Sequence, residues 1–167
     1  GWTFLTPFIF FVLVPILDEL VSRDELNADD DEETRRLDNP LYRAIVLGWL
    51  PLQVVAIISG AISVSLGSCT SLEIAGILFS VGLTGAAGIN VAHELMHRTN
   101  RFDKAAAELL MASVFYTHFC VEHVFGHHRR VATRQDPATS RFGETVYGFV
   151  PRSVIGSFLS FWEIETG

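Results

Sequence analysis

Charged residues are absent from three long stretches of this 167-residue chain: 1–17, 44–66 and 74–92. Each is close to the roughly 20 apolar residues a helix needs to cross about 30 Å of hydrocarbon. A soluble domain of this length has too little interior to bury three helices that are apolar all round. The pattern therefore predicts an all-α, integral membrane helical bundle with three spans, near 1–17, 44–66 and 72–92. The first run has no basic residues ahead of it and no small-residue cleavage pattern before Asp18, so it reads as a span rather than a secretory signal. A fourth apolar run, 105–121, is interrupted only by Glu108 and His118.

Composition agrees with this reading. Hydrophobic residues make up 49% of the chain, with 13 Phe, and the mean hydropathy is +0.34. Charge adds an orientation. Residues 18–38 hold ten acids against Arg23, Arg35 and Arg36, which accounts for the whole formal charge of −7. We read this segment as a solvated connection between spans, with Asn39-Pro40 as the turn into the second. Arg98, Arg101 and Lys104 follow the third run, whereas the 67–71 turn is uncharged. The positive-inside rule then places 18–43 and everything after about residue 97 in the cytoplasm. Residues 105–167 are expected to be cytoplasmic or interfacial. No nucleic-acid partner is expected. Cys69 and Cys120 have no motif spacing, and Cys120 is read as a small apolar filler.

The chemistry lies in the histidines. All six fall between residues 93 and 128, five of them in His93-Glu94-Leu95-Met96-His97 and Glu122-His123-Val124-Phe125-Gly126-His127-His128. On a helix, His93/His97 and His123/His127 are i, i+4 pairs that project from one face and can chelate a metal. His128 adds a neighbouring direction. Five imidazoles beside an apolar segment are costly without a metal partner. The first motif is an HExxH, which would hold zinc with Glu94 as the general base of a membrane metalloprotease. One zinc would leave two of the other imidazoles idle. Imidazole-rich, thiolate-free ligation suits a pair of first-row transition metals, iron among them. His118 stands outside both motifs and is expected to be a hydrogen-bonded helix histidine.

Both motifs must meet to share metal, and this constrains 105–121. As one straight spanning helix it would separate them by about 25 Å at 1.5 Å per residue. The run is therefore expected to lie along the interface or to bend back. Near the end of the third run, Gly82, Gly85, Ala86, Ala87 and Gly88 read first as a close-packing surface. Room for a slim apolar substrate is the second reading. Phe8, Phe10 and Phe11 in the first run face lipid or line a substrate channel.

HELMH, then EHVFGHH, then RVATRQDPATSRFGETVYGF together resemble the membrane-bound alkane 1-monooxygenase (alkane hydroxylase) family, a desaturase-like group. The likeness runs over nearly the whole chain. It implies a nonheme diiron enzyme of the cell inner membrane, multi-pass, with its metal site on the cytoplasmic side. Such an enzyme hydroxylates the terminal carbon of n-alkanes with O2 and electrons from rubredoxin and its reductase. By the same resemblance His93, His97, His123, His127 and His128 are metal ligands. Glu94 and Glu122 are expected to orient imidazole N–H groups, and Asp136, Arg141 and Glu144 to support the site from outside. The sequence departs from the family at Arg134-Gln135, where the family carries Pro and a variable residue. No histidine follows His128, although the family has further histidine motifs downstream. The chain is accordingly read as a piece of a longer protein, inactive alone, with about half of the ligand set.

Overall fold

A computed structural model describes residues 2–21, Arg35 and 39–167. Most of the acidic 18–38 segment lies outside the described residues. Among those described the fold is all helical. Three helices are long and apolar enough to cross a membrane: α1, Trp2–Leu20; α2, Pro40–Ser65; and α3, Ser71–Met96. Each extends past its uncharged run because of local chemistry at its ends. Asn39 caps α2, its side chain accepting from the Leu41 N–H at 2.9 Å, with Pro40 at the first turn. Thr70 and Glu73 form a reciprocal capping box at the start of α3. In α1 a π-helical turn over Ile9–Leu13 ends two residues before Pro15, whose nitrogen cannot donate to the preceding turn.

Twenty-six residues of α3 measure about 39 Å, more than the hydrocarbon thickness. The helix is therefore long enough to tilt in the apolar layer or to reach past it. The outward faces of the spans carry Phe8, Phe11, Ile45, Val55, Ile58, Leu78 and Phe79. The small-residue stretch of α3 is used mainly for packing. A Cβ on Gly88 would meet the Gln53 side chain of α2 at 1.8 Å, and one on Gly85 would meet Val114 at 2.8 Å. Gly82 has nothing within 4 Å. Phe8 and Phe11 are exposed, and Phe11 stacks on Phe79.

The fourth apolar run is not one helix. α4, Arg101–Ser113, is too short to span and buries Asp103, Ala106, Ala107, Leu110 and Met111 on one face. Arg43 pairs with Asp103 at 2.9 Å, and ten residues further along both helices Gln53 donates to the Ser113 hydroxyl at 2.5 Å. These two ties hold α4 parallel to the first half of α2. The chain then reverses at 114–117, where Phe115 takes φ 57°. It returns through α5, residues 118–130, which contains a π-helical turn over Glu122–His127. The run bends back, as joint use of both motifs requires.

A loop over 131–145 leads to α6, Val146–Thr166, capped by the Thr145 hydroxyl. α6 packs along α5. The buried core sits at the histidine end of the bundle. Ala92, Leu95 and Met96 of α3 meet Ala106, Ala107, Leu110 and Met111 of α4, with Trp49, Leu50, Phe119, Cys120 and Val124 packed around them.

Candidate metal centre

The last turn of α3 places His93 and His97 on one face, one helical turn apart, as the i, i+4 spacing predicts. α5 then brings His123 against them. His93 Nε2 and His123 Nε2 are 2.8 Å apart, and His97 Nε2 lies 3.4 Å from His93 Nε2. The ligand atoms of these three all lie within 4.8 Å of one another. His128 joins them, its Nε2 3.0 Å from that of His123.

The π turn decides which histidines of the second motif converge. Its wider turn brings His128, five residues on, against His123, so that their Nε2 atoms meet while His127 stacks on the His123 ring. His127 stands at the edge of this group, its ring centroid 5.3 Å from that of His123 and 5.9 Å from that of His128. Its Nδ1 lies 2.8 Å from Asp136 Oδ2.

Four rings that turn the same nitrogen inward cannot all be satisfied by one another. A neutral imidazole has one donor and one acceptor nitrogen, whereas a cation accepts every lone pair. Two nitrogens each about 2.1 Å from one ion at right angles are about 3 Å apart, close to the observed spacings. The donor set therefore fits an imidazole-ligated transition metal. Burial of His123, with His93, His128, His127 and His97 around it, drives its pKa down to about 4. The ring is neutral at physiological pH, the form a ligand needs.

Asp136 is buried at the base of the 131–145 loop. Burial opposes its charge, but bonds from the Thr139 hydroxyl, the Ala138 N–H at 3.0 Å and His127 outweigh it and hold the carboxyl below its ordinary range. It is thus the acceptor for His127 Nδ1. The two glutamates of the motifs do otherwise. Glu94 is exposed and pairs with Arg98 at 3.1 Å. Glu122 is buried, which raises its pKa, and its Oε1 takes a bond from Arg130 at 3.4 Å. Neither bonds an imidazole among the described residues.

Residues 71–167 match the fatty acid desaturase family. The chain belongs to that family. Over 160 residues it is 35% identical to an alkane 1-monooxygenase of Acinetobacter baylyi, covering 96% of this chain and 39% of that protein. It is 36% identical over 168 residues to alkane 1-monooxygenase 2 of Pseudomonas aeruginosa, covering 99% and 45%. A xylene/toluene monooxygenase hydroxylase component of Pseudomonas putida is 29% identical over 167 residues, covering 98% and 43%. The resemblance to alkane 1-monooxygenases read from the motifs is borne out. The chain spans well under half the length of these relatives.

Other features of this desaturase-family site were not legible from spacing. Among the described residues His118 makes no hydrogen bond, contrary to expectation. Its Nε2 is buried without a protein partner among the described residues, and its ring packs edge-on to Tyr116 and Phe158. Aromatic packing has replaced the polar contact, and burial lowers its pKa. Cys120 packs beside the core as an apolar filler, its thiol pushed up to about 11 by burial, with Glu108 adding to it. Glu144 is held down to about 2 by two bonds from Arg152 and one from the Arg141 N–H. Arg141 itself is exposed, and it reaches Glu144 through its backbone N–H and through its charge. Arg130 and Arg152 are committed inside the fold, and no sequence motif marked either.

Proposed function

We propose that this chain carries the first half of a nonheme diiron site of a membrane alkane monooxygenase. The full-length protein hydroxylates the terminal carbon of n-alkanes, with rubredoxin and its reductase as electron source. It lies in the cell inner membrane with the histidines on the cytoplasmic side, and 105–167 is cytoplasmic or interfacial. The observation that carries this reading is the convergence of four imidazole Nε2 atoms, without a thiolate, at the end of a span-length helix. The alkane 1-monooxygenase names of its relatives support the substrate class.

Bound iron supplies the one-electron and O2 chemistry that no side chain here can perform. The protein's own residues do the rest. His93, His97, His123 and His128 hold the metal from two helices, and His127 offers its remaining nitrogen while Asp136 holds Nδ1. The apolar end of α3 and the core beneath it exclude water from one side of the site. The exposed apolar faces of α1 to α3 keep the site in contact with the hydrocarbon in which an alkane dissolves. Arg129, exposed and lying over the Phe125 ring at 5.9 Å, remains available to an acidic electron donor. Arg130 does not, because it bonds Gly126, Glu122 and Ser160.

Metal analysis of the full-length protein tests the reading. About two irons per chain are expected, with alkane oxidation abolished by His123→Ala and by His128→Ala. One zinc per chain with activity surviving His128→Ala would overturn it in favour of a protease. Glu94, the base a protease would need, is instead tied to Arg98.

A further inference from the structure

Arg152 sits on α6, away from every histidine motif, yet its guanidinium makes four bonds into the loop behind the metal centre. Nε donates to Glu144 Oε1 and Nη2 to Glu144 Oε2, both at 2.6 Å. Nη1 donates to the Pro137 carbonyl and Nη2 to the Thr139 carbonyl, both at 3.0 Å. Those two carbonyls flank Ala138, whose N–H donates to Asp136 Oδ1 at 3.0 Å. The Thr139 hydroxyl donates to Asp136 Oδ2. The turn that Arg152 grips is thus the turn that sets the Asp136 carboxylate. One helical turn along, Gly156 lets the same turn lie flush on α6: a Cβ there would meet Pro137 Cβ at 2.7 Å.

A carboxylate can only accept, so His127 carries its proton on Nδ1 and presents Nε2 as a lone pair. The tautomer of His127 therefore depends on where Asp136 stands, and Asp136 stands where Arg152 holds its turn. We infer that Arg152 is a positioning residue for the metal centre, acting through the 136–139 turn to fix the tautomer and direction of His127. This inference rests on the metal reading given above. A lysine cannot replace it, because a point charge cannot serve a carboxylate fork and two carbonyls at once.

The test uses the full-length protein in lipid nanodiscs with 15N-labelled histidine rings. In the metal-free wild type the His127 signal, assigned by its loss in His127→Gln, should report a proton on Nδ1. In Arg152→Gln and Arg152→Lys the proton should move largely to Nε2, as in Asp136→Asn. Cobalt(II) affinity should fall about 10–100-fold in each, with an altered visible spectrum. The Arg152→Gln/Asp136→Asn double variant should bind no more weakly than Asp136→Asn alone, since both act along one path. Folded Arg152 variants with an unchanged His127 signal and wild-type cobalt affinity would overturn the inference. So would fully additive effects, or loss of folding in both variants, which would assign Arg152 to the fold. A wild-type protein that binds no metal would overturn the proposed function, while the tautomer signal would still decide the role of Arg152.

Discussion

His123 is the most deeply buried of the converging rings, and its depressed pKa has a consequence for stability. The unfolded chain takes up its proton near the ordinary value of about 6.5, the folded chain only near about 4. Between these values the unfolded state binds more protons, so stability rises with pH across the window. The stabilisation is present above about 6.5 and is lost as pH falls through about 4. Thermal melting of the metal-free protein in detergent should show Tm falling from pH 7 to pH 4.5, with a shallower fall in His123→Gln. Equal slopes in the two proteins would mean that His123 does not carry the effect. The same residue shows what spacing conceals. His93 and His97 were legible as a pair because α3 is an ordinary α-helix at that point. The pairing within EHVFGHH was legible only in part: His123 and His127 do stack, but the π turn also brings His128 against His123, and no residue type announces it.

Within the π turn of α5, the side chains of Glu122 and Arg130 approach each other over Gly126. A Cβ at Gly126 would meet Glu122 Oε1 at 2.5 Å and Arg130 Nη2 at 2.7 Å. Gly126→Ala must therefore push apart a half-buried ion pair that also reaches Ser160 on α6. It should cost about 1–3 kcal/mol in stability, the range for overpacking a filled site, and disturb the His123–His128 approach. Gly48→Ala in α2 is the matched comparison, since nothing lies within 4 Å of its Cβ. There the better helix propensity of alanine should be neutral or stabilising by up to about 1 kcal/mol. Chemical denaturation of both variants would check this, and equal effects would remove the special role of Gly126. At this scale the sequence was informative about where helices run and poor about how they lock. The three spans followed from uncharged runs, because lipid tolerates little else. Arg43–Asp103, Gln53–Ser113 and Arg152–Glu144 join residues that are distant in sequence or lie in a loop without periodicity. No local pattern could pair them.

In the whole molecule, α2, α3 and α4 form one packed body, while α5 and α6 pack chiefly on each other. The two parts meet through the short turn after α4, the contacts of Phe119, Cys120 and Val124 with the core, and the histidines. A metal bound by His93 and His97 on one side and His123 and His128 on the other would staple the two bodies together. A ligand that binds only the folded arrangement stabilises it in proportion to its affinity. Chelating the metal should therefore loosen 114–145 selectively. Hydrogen exchange there should quicken by the factor that binding contributed, while the amides of α2 and α3 keep their protection. Peptide-resolved exchange on the full-length protein, with and without chelator, would measure it. Unchanged protection in α5 would mean that packing alone holds the bodies together. Uniform loss along α2 and α3 would mean that the metal stabilises the whole fold as a single unit. Selective loss would explain how two histidine motifs carried on separate helices remain in register while the turn at Phe115 provides few other restraints between the bodies.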